Sequence, residues 1–179
     1  MIIDFKERTI SSETKFTGNI INLRVDQIKL YDGQQGTREI VEHSGGATII
    51  PQLSEEKIIM VRQYRKAAEE VMLELPAGKL EENEDPRQCV RRELIEETGY
   101  QARKIKKLFS FYTSPGYSSE LLHLYCGQDL KFVGENPDQG ELIETEVIAR
   151  DQIMDLITSG KIKDSKTIIG LLYVLRKGF

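Results

Sequence analysis

The sequence predicts an α+β fold, a mixed sandwich of strands and a few helices preceded by a small N-terminal β-strand appendage. Three observations predict it. Strand-like runs dominate the first 65 positions, one sharply capped helix follows them, and two further helical patterns close the chain. Strands gathered in runs, with helices set apart, argue for layered α+β packing rather than a doubly wound sheet.

Each element has its own signal. Residues 20–31 are rich in β-branched and apolar side chains and end at Asp32-Gly33-Gln34-Gln35-Gly36, a turn-forming stretch. Residues 37–43 read as the returning strand, and Ser44-Gly45-Gly46 then punctuates the chain. Residues 1–45 are therefore expected to form the N-terminal β segment and residues 46–179 the main domain. Two apolar runs, 47–53 and 58–64, flank Ser54-Glu55-Glu56-Lys57, which suits a hairpin loop. The helix is expected over Pro86–Thr98. Asp85 supplies an N-cap, Pro86 takes the first helical position where its missing N–H costs nothing, and Gln88 is spaced for a capping box. Gly99 can close the far end in the left-handed conformation. Residues 105–112, 121–126 and 144–149 read as strands. Residues 151–159 and 165–177 read as helices, the last with Ile168, Leu171, Leu172 and Leu175 as an apolar stripe.

Composition narrows the function. The chain has 179 residues, 39% hydrophobic and 30% charged, so it can bury a core and is neither disordered nor fibrous. No apolar run approaches the roughly 20 residues of a membrane helix, so no membrane partner is expected. The opening residues, Met1 to Arg8, are charged too early for a secretory signal. Cys89 and Cys126 form neither a disulfide framework nor a zinc pattern, and a reducing cytoplasm is the expected compartment. A net charge of −4 makes the chain a poor holder of nucleic-acid backbones. If it handles phosphates, a metal or a few placed arginines must supply the positive charge. Neither a dinucleotide-binding glycine fingerprint nor a phosphate loop is present.

The informative stretch runs from Gly78 to Tyr100. On the expected helix Glu93, Glu96 and Glu97 stand at i, i+3 and i+4, inside an arc of roughly 100°. Like charges at these spacings repel by a few tenths of a kcal/mol per pair. Their place in the last turns also opposes the helix dipole, which favours cations there. A charged helix face is most often simply solvated, and Arg91 and Arg92 can form ordinary surface pairs. A divalent cation would remove both objections at once, and carboxylate oxygens suit Mg²⁺ or Mn²⁺.

The longer register decides between these readings. Gly78, Glu84, Arg92, Glu93, Leu94, Glu96, Glu97 and Gly99 stand as Gly-x5-Glu-x7-Arg-Glu-Leu-x-Glu-Glu-x-Gly. This pattern resembles the Nudix box at every position but the last, usually aliphatic and here Tyr100. The resemblance implies an α/β/α sandwich that hydrolyses a nucleoside diphosphate linked to another moiety. It implies Glu93 and Glu97 as the main metal ligands, Glu96 as a further one directly or through water, and the Ala77 carbonyl beside Gly78 as another. Two or three Mg²⁺ or Mn²⁺ ions are implied. Arg92 would orient the glutamates and Glu84 would buttress the loop.

Matches beyond the box point to a subfamily. Pro115 in Ser114-Pro115-Gly116 stands fifteen positions after Tyr100, where ADP-ribose pyrophosphatases carry a proline. Val61-Arg62-Gln63-Tyr64-Arg65 resembles their strand ending in a substrate-binding arginine, and Arg65 has a donor fork suited to a diphosphate. Arg38-Glu39-Ile40-Val41-Glu42-His43 and Pro76-Ala77-Gly78-Lys79-Leu80 are similar too. The resemblance implies a homodimer with exchanged N-terminal strands, substrate contacts from Arg38, Glu39, Arg65 and Ser114, and a general base on a late loop. Glu141 fits that base best, with Glu144 in reserve. The expected reaction is hydrolysis of ADP-ribose to AMP and ribose 5-phosphate. GDP-mannose or another nucleotide sugar is the alternative, since Ile162-Lys163-Asp164-Ser165-Lys166-Thr167 resembles that neighbouring group equally. A non-catalytic nucleotide sensor is the rival from another class, disfavoured by the intact glutamates.

Overall fold

The structure, a computed structural model, describes residues 5–134 and 142–177. It divides into two compact units. The smaller holds β1 (Arg8–Thr17), β2 (Ile21–Lys29) and β3 (Gln35–His43), an antiparallel meander with β2 in the centre. The β2–β3 register runs from Ile21 opposite His43 to Lys29 opposite Gln35. Gly33 makes the turn possible at φ 88°, and the Asp32 carboxylate accepts the Gln34 N–H at 3.0 Å. β1 has no sequence signal of burial: every residue in it is exposed, and pairing with β2 holds it. The same unit also takes in Tyr112–Leu121, which the sequence places in the main domain. The reason is backbone pairing. Val41 N donates to Tyr117 O at 2.7 Å and Ser119 N to Val41 O at 2.9 Å, which lays that segment along β3.

The larger unit is a mixed sheet with helices on both faces. Its strand order is β10 (Ile143–Ala149), β5 (Lys57–Arg65), β4 (Gly46–Ser54), β9 (Leu121–Phe132), β8 (Tyr100–Tyr112). β4 and β9 run parallel. Past the β4–β5 hairpin the two strands diverge. β5 takes β6 (Glu70–Glu74) as a neighbour, and β4 takes β7 (Ala77–Lys79). Neither β6 nor β7 carries a run long enough to be read from the sequence. Pro76 bridges them, its carbonyl accepting from Ile49 N and Thr48 Oγ1, both at 3.0 Å.

Alternation along β4 divides the core. Ile49 faces α1 (Pro86–Thr98) with Ala47, Cys89, Val90 and Leu94. Ile50 faces the other side with Ile58, Met60, Leu124 and Leu171, under α2 (Ile153–Thr158) and α3 (Ser165–Lys177). α1 has the bounds its caps predict. The Asp85 carboxylate takes the Arg87 N–H, one position earlier than a capping box places it, and Gly99 closes the helix at φ 71°. The helix expected over 151–159 is shorter, because Arg150–Gln152 forms a 3₁₀ turn first. Strands β8 and β9 extend beyond their apolar runs, where pairing continues through polar residues.

Candidate metal and diphosphate site

Burial fixes α1 against the sheet strongly enough to carry unfavourable charges. Val90 and Leu94 are fully buried, each worth about 1.5–3 kcal/mol relative to exposure. Repulsion between neighbouring glutamates costs only a few tenths each, so packing wins. The carboxylates of Glu93, Glu96 and Glu97 are thereby held along one edge of α1, beside β7.

Arg92 organises that edge. Its Nε and Nη2 grip Glu84 at 3.1 Å each, and its Nη1 reaches Glu93 at 2.7 Å and Glu96 at 3.0 Å. The Glu84 hydrogen bonds raise the Arg92 pKa above its ordinary value, and the same bonds hold the Glu84 carboxyl below its own. Glu84 also accepts the Glu81 N–H at 3.0 Å, which fixes the loop entering the helix. Arg92 thus bonds Glu96 at i, i+4 and also Glu84 and Glu93.

Glu97 lies deeper, 8% exposed, and accepts the Ala77 N–H at 3.1 Å. Burial pushes its carboxyl up to about 8, and the Glu93 charge adds to the rise. Gly78 is required by close approach: a Cβ there would lie 1.6 Å from Glu93 Oε1. Among the described residues no three His, Cys, Asp or Glu side chains are gathered as a metal cage. Glu93 and Glu96 turn to Arg92 instead, and Glu97 to the Ala77 amide.

These residues fit a hard dication. Their donors are all oxygen, Arg92 offers one positive charge to three carboxylates, and Glu97 is crowded by like charge at a buried position. Such ions also keep waters and share substrate phosphates, so a closed protein cage is not required. The residues that would hold one are Glu93, Glu96, Glu97 and the Ala77 carbonyl.

Arg65, at the end of β5, is engaged by a residue the sequence did not single out. Its Nε and Nη2 donate to Glu74 at 2.8 and 2.9 Å, and Glu74 is 1% exposed. Lys166, from the first turn of α3, bonds the same carboxylate. The three stand at positions 65, 74 and 166, and no periodicity links them. A carboxylate sharing a buried strand end with apolar Leu73 and Leu75 was the available signal.

The remaining expected residues fall in the smaller unit, on β10 or outside the described residues. Arg38, Glu39 and Ser114 belong to the smaller unit. Arg38 and Glu39 are both exposed on β3, and consecutive positions there face opposite sides of the sheet. Arg38 pairs with Glu7, and the Ser114 carbonyl anchors the turn to Tyr117 and Ser118. Glu144 is exposed on β10 opposite Arg62, and Glu141 lies outside the described residues.

Comparison with known proteins bears on the family and the fold. The NUDIX domain model matches residues 43–169, and the nucleoside diphosphate sugar hydrolase N-terminal domain model matches residues 7–41. A methanol dehydrogenase activator of Bacillus methanolicus is 42% identical, over 95% of this chain and 93% of its own. An ADP-ribose pyrophosphatase of Bacillus subtilis (strain 168) is 38% identical, over 96% and 94%. A GDP-mannose pyrophosphatase of Yersinia pestis (strain Pestoides F) is 35% identical, over 78% and 75%. The crystal structure of an ADP compounds hydrolase shares the fold, with a TM-score of 0.85 at 20% identity, covering 96% of this chain and 93% of that one. With the box residues set along α1 and a family model spanning the whole larger sheet, α1, α2 and the start of α3, the chain belongs to the Nudix hydrolase family, whose members generally depend on a divalent metal.

Proposed function

We propose that this protein is a pyrophosphohydrolase that converts ADP-ribose to AMP and ribose 5-phosphate with Mg²⁺ or Mn²⁺. The observation that carries the reading is the carboxylate edge of α1, packed against a glycine that leaves no room for a Cβ. The 38% identity to an ADP-ribose pyrophosphatase supports the substrate.

Glu93, Glu96, Glu97 and the Ala77 carbonyl would hold the cations, two or three by the resemblance. When bound, these ions supply positive charge to the diphosphate and lower the pKa of a water. Arg92 keeps Glu84, Glu93 and Glu96 in fixed relation, so the site is organised before substrate arrives. Arg65 donates to a diphosphate oxygen. Arg38, Glu39 and Ser114 contribute the further substrate contacts that the resemblance assigns. Glu141 accepts a proton from the attacking water, with Glu144 as the alternative base. The protein acts as a homodimer in the cytoplasm.

A panel of ADP-ribose, GDP-mannose and other nucleotide sugars, assayed with Mg²⁺ and with Mn²⁺, tests the reading. Preferential release of AMP from ADP-ribose supports it, and a clear preference for GDP-mannose overturns it. The 35% identical GDP-mannose pyrophosphatase and the 162–167 run favour that second reading. The 42% identity to a dehydrogenase activator favours a role beside another enzyme. Adding the protein to a methanol dehydrogenase assay separates that role, because a box-glutamate variant shows whether hydrolysis is required.

A further inference from the structure

Two features of the larger unit take no part in the chemistry above: the buried carboxylate of Glu74, and the Asp164-Ser165-Lys166-Thr167 run that opens α3. The structure joins them. Asp164 begins the helix, its Oδ2 accepting the Thr167 N–H and its carbonyl the Ile168 N–H, each at 2.9 Å. Thr167 Oγ1 in turn accepts the Leu75 N–H at 2.8 Å, which ties α3 to the end of β6. Lys166 crosses to Glu74 and stands 3.0 Å from Asp164 Oδ2.

A buried carboxylate persists only when both oxygens are satisfied. Here Arg65 Nε takes Oε1, while Arg65 Nη2 and Lys166 take Oε2. The guanidinium is planar, so this side-on pair fixes its orientation and leaves Nη1 and one N–H of Nη2 outside the pair. The burial is one-sided: the Glu74 side chain is 2% exposed and that of Arg65 40%. Arg65 and Lys166 also bring positive charge within reach of Glu97 on the carboxylate edge.

We propose that Glu74, braced by Lys166, is a positioning residue that aims the Arg65 guanidinium at the substrate's diphosphate. The proposal rests on the pyrophosphohydrolase reading. An arginine held in advance gives up little side-chain freedom on binding, whereas a loose one must be ordered by the substrate itself. The Asp164–Thr167 run thereby belongs to substrate binding without touching substrate.

The test is a double-mutant cycle on KM and kcat for ADP-ribose, using E74Q, K166M, R65A and the pairs E74Q/R65A and K166M/R65A. E74Q should raise KM about tenfold and K166M about threefold, with kcat within about threefold of wild type. In the R65A background neither should raise KM further, because the residue they act through is gone. Thermal unfolding checks that each variant folds. Should E74Q not fold, K166M carries the cycle by the same criterion. An unchanged KM in the variant that folds, or factors that multiply with that of R65A, would overturn the proposal. Failure of the underlying reading is separate: it shows as wild-type protein releasing no AMP. The same cycle is then read on the Kd of ADP-ribose in EDTA by calorimetry, and absence of wild-type binding there overturns both.

Discussion

Replacing Gly78 with alanine should separate stability from activity. The added methyl would lie 1.6 Å from Glu93 Oε1, 2.0 Å from its Cδ and 2.6 Å from its Cγ. Ordinary contact begins at 3.4 Å, so the Glu93 side chain must withdraw by roughly 2 Å. Gly78 is not among the residues at positive φ, so alanine suits the backbone there. The substitution also restricts the unfolded chain by about 0.4–1 kcal/mol, which offsets part of the crowding. The yielding group is one flexible side chain, so Tm should move by only a few degrees. Displacements of about 1 Å in a catalytic group cost on the order of 100-fold in rate, and kcat should fall at least that far. AMP release at saturating Mg²⁺, with thermal unfolding on the same samples, reads both quantities. In a Glu93→Gln background the further loss should be small, since the carboxylate is already gone. A folded Gly78→Ala protein that kept a third or more of wild-type kcat would refute the importance of Glu93's position.

Further outcomes follow from the same contacts. Arg92→Ala removes the cation shared by Glu84, Glu93 and Glu96. It should lower kcat about 10- to 100-fold, with Arg92→Lys intermediate because it cannot grip Glu84 with two nitrogens; equal rates for the three proteins would contradict that role. Burial pushes the Glu74 carboxyl up, but the Arg65 hydrogen bonds and Lys166 outweigh it and hold the pKa below its usual value. Its contribution is then complete above the unfolded pKa and lost as pH falls through the depressed folded one. Wild type should accordingly lose more Tm than Glu74→Gln below about pH 4.5, and parallel curves would exclude this linkage. Burial raises the Cys89 thiol to about 12 and the Cys126 thiol to about 11. Native protein at pH 8 should therefore react slowly with a thiol reagent and release both thiols only on denaturation; rapid labelling of Cys89 would contradict its burial.

Legibility followed locality. α1 was readable to its end residues because Asp85, Pro86 and Gly99 are local signals, and the helical spacing of Glu93, Glu96 and Glu97 survives in the fold. β1 was not, because an exposed strand held by cross-strand hydrogen bonds needs no apolar alternation. The carboxylate edge was visible as charges placed against helix physics. Its internal arrangement was not, because Arg92 selects among four glutamates by loop geometry. The pairing of Glu74 with Lys166 was illegible for the same reason: 92 positions separate them and only the tertiary fold brings them together.

Mn²⁺ binding to wild-type and Glu97→Gln protein, followed by electron paramagnetic resonance without substrate, tests the metal-gripping role of α1 most directly. The amide can still accept the Ala77 N–H, so the variant should fold. Wild type should bind Mn²⁺ at least tenfold more tightly than the variant, and AMP release should fail in both once EDTA is added. Equal Mn²⁺ affinity in the two proteins, with AMP still released in EDTA, would contradict it.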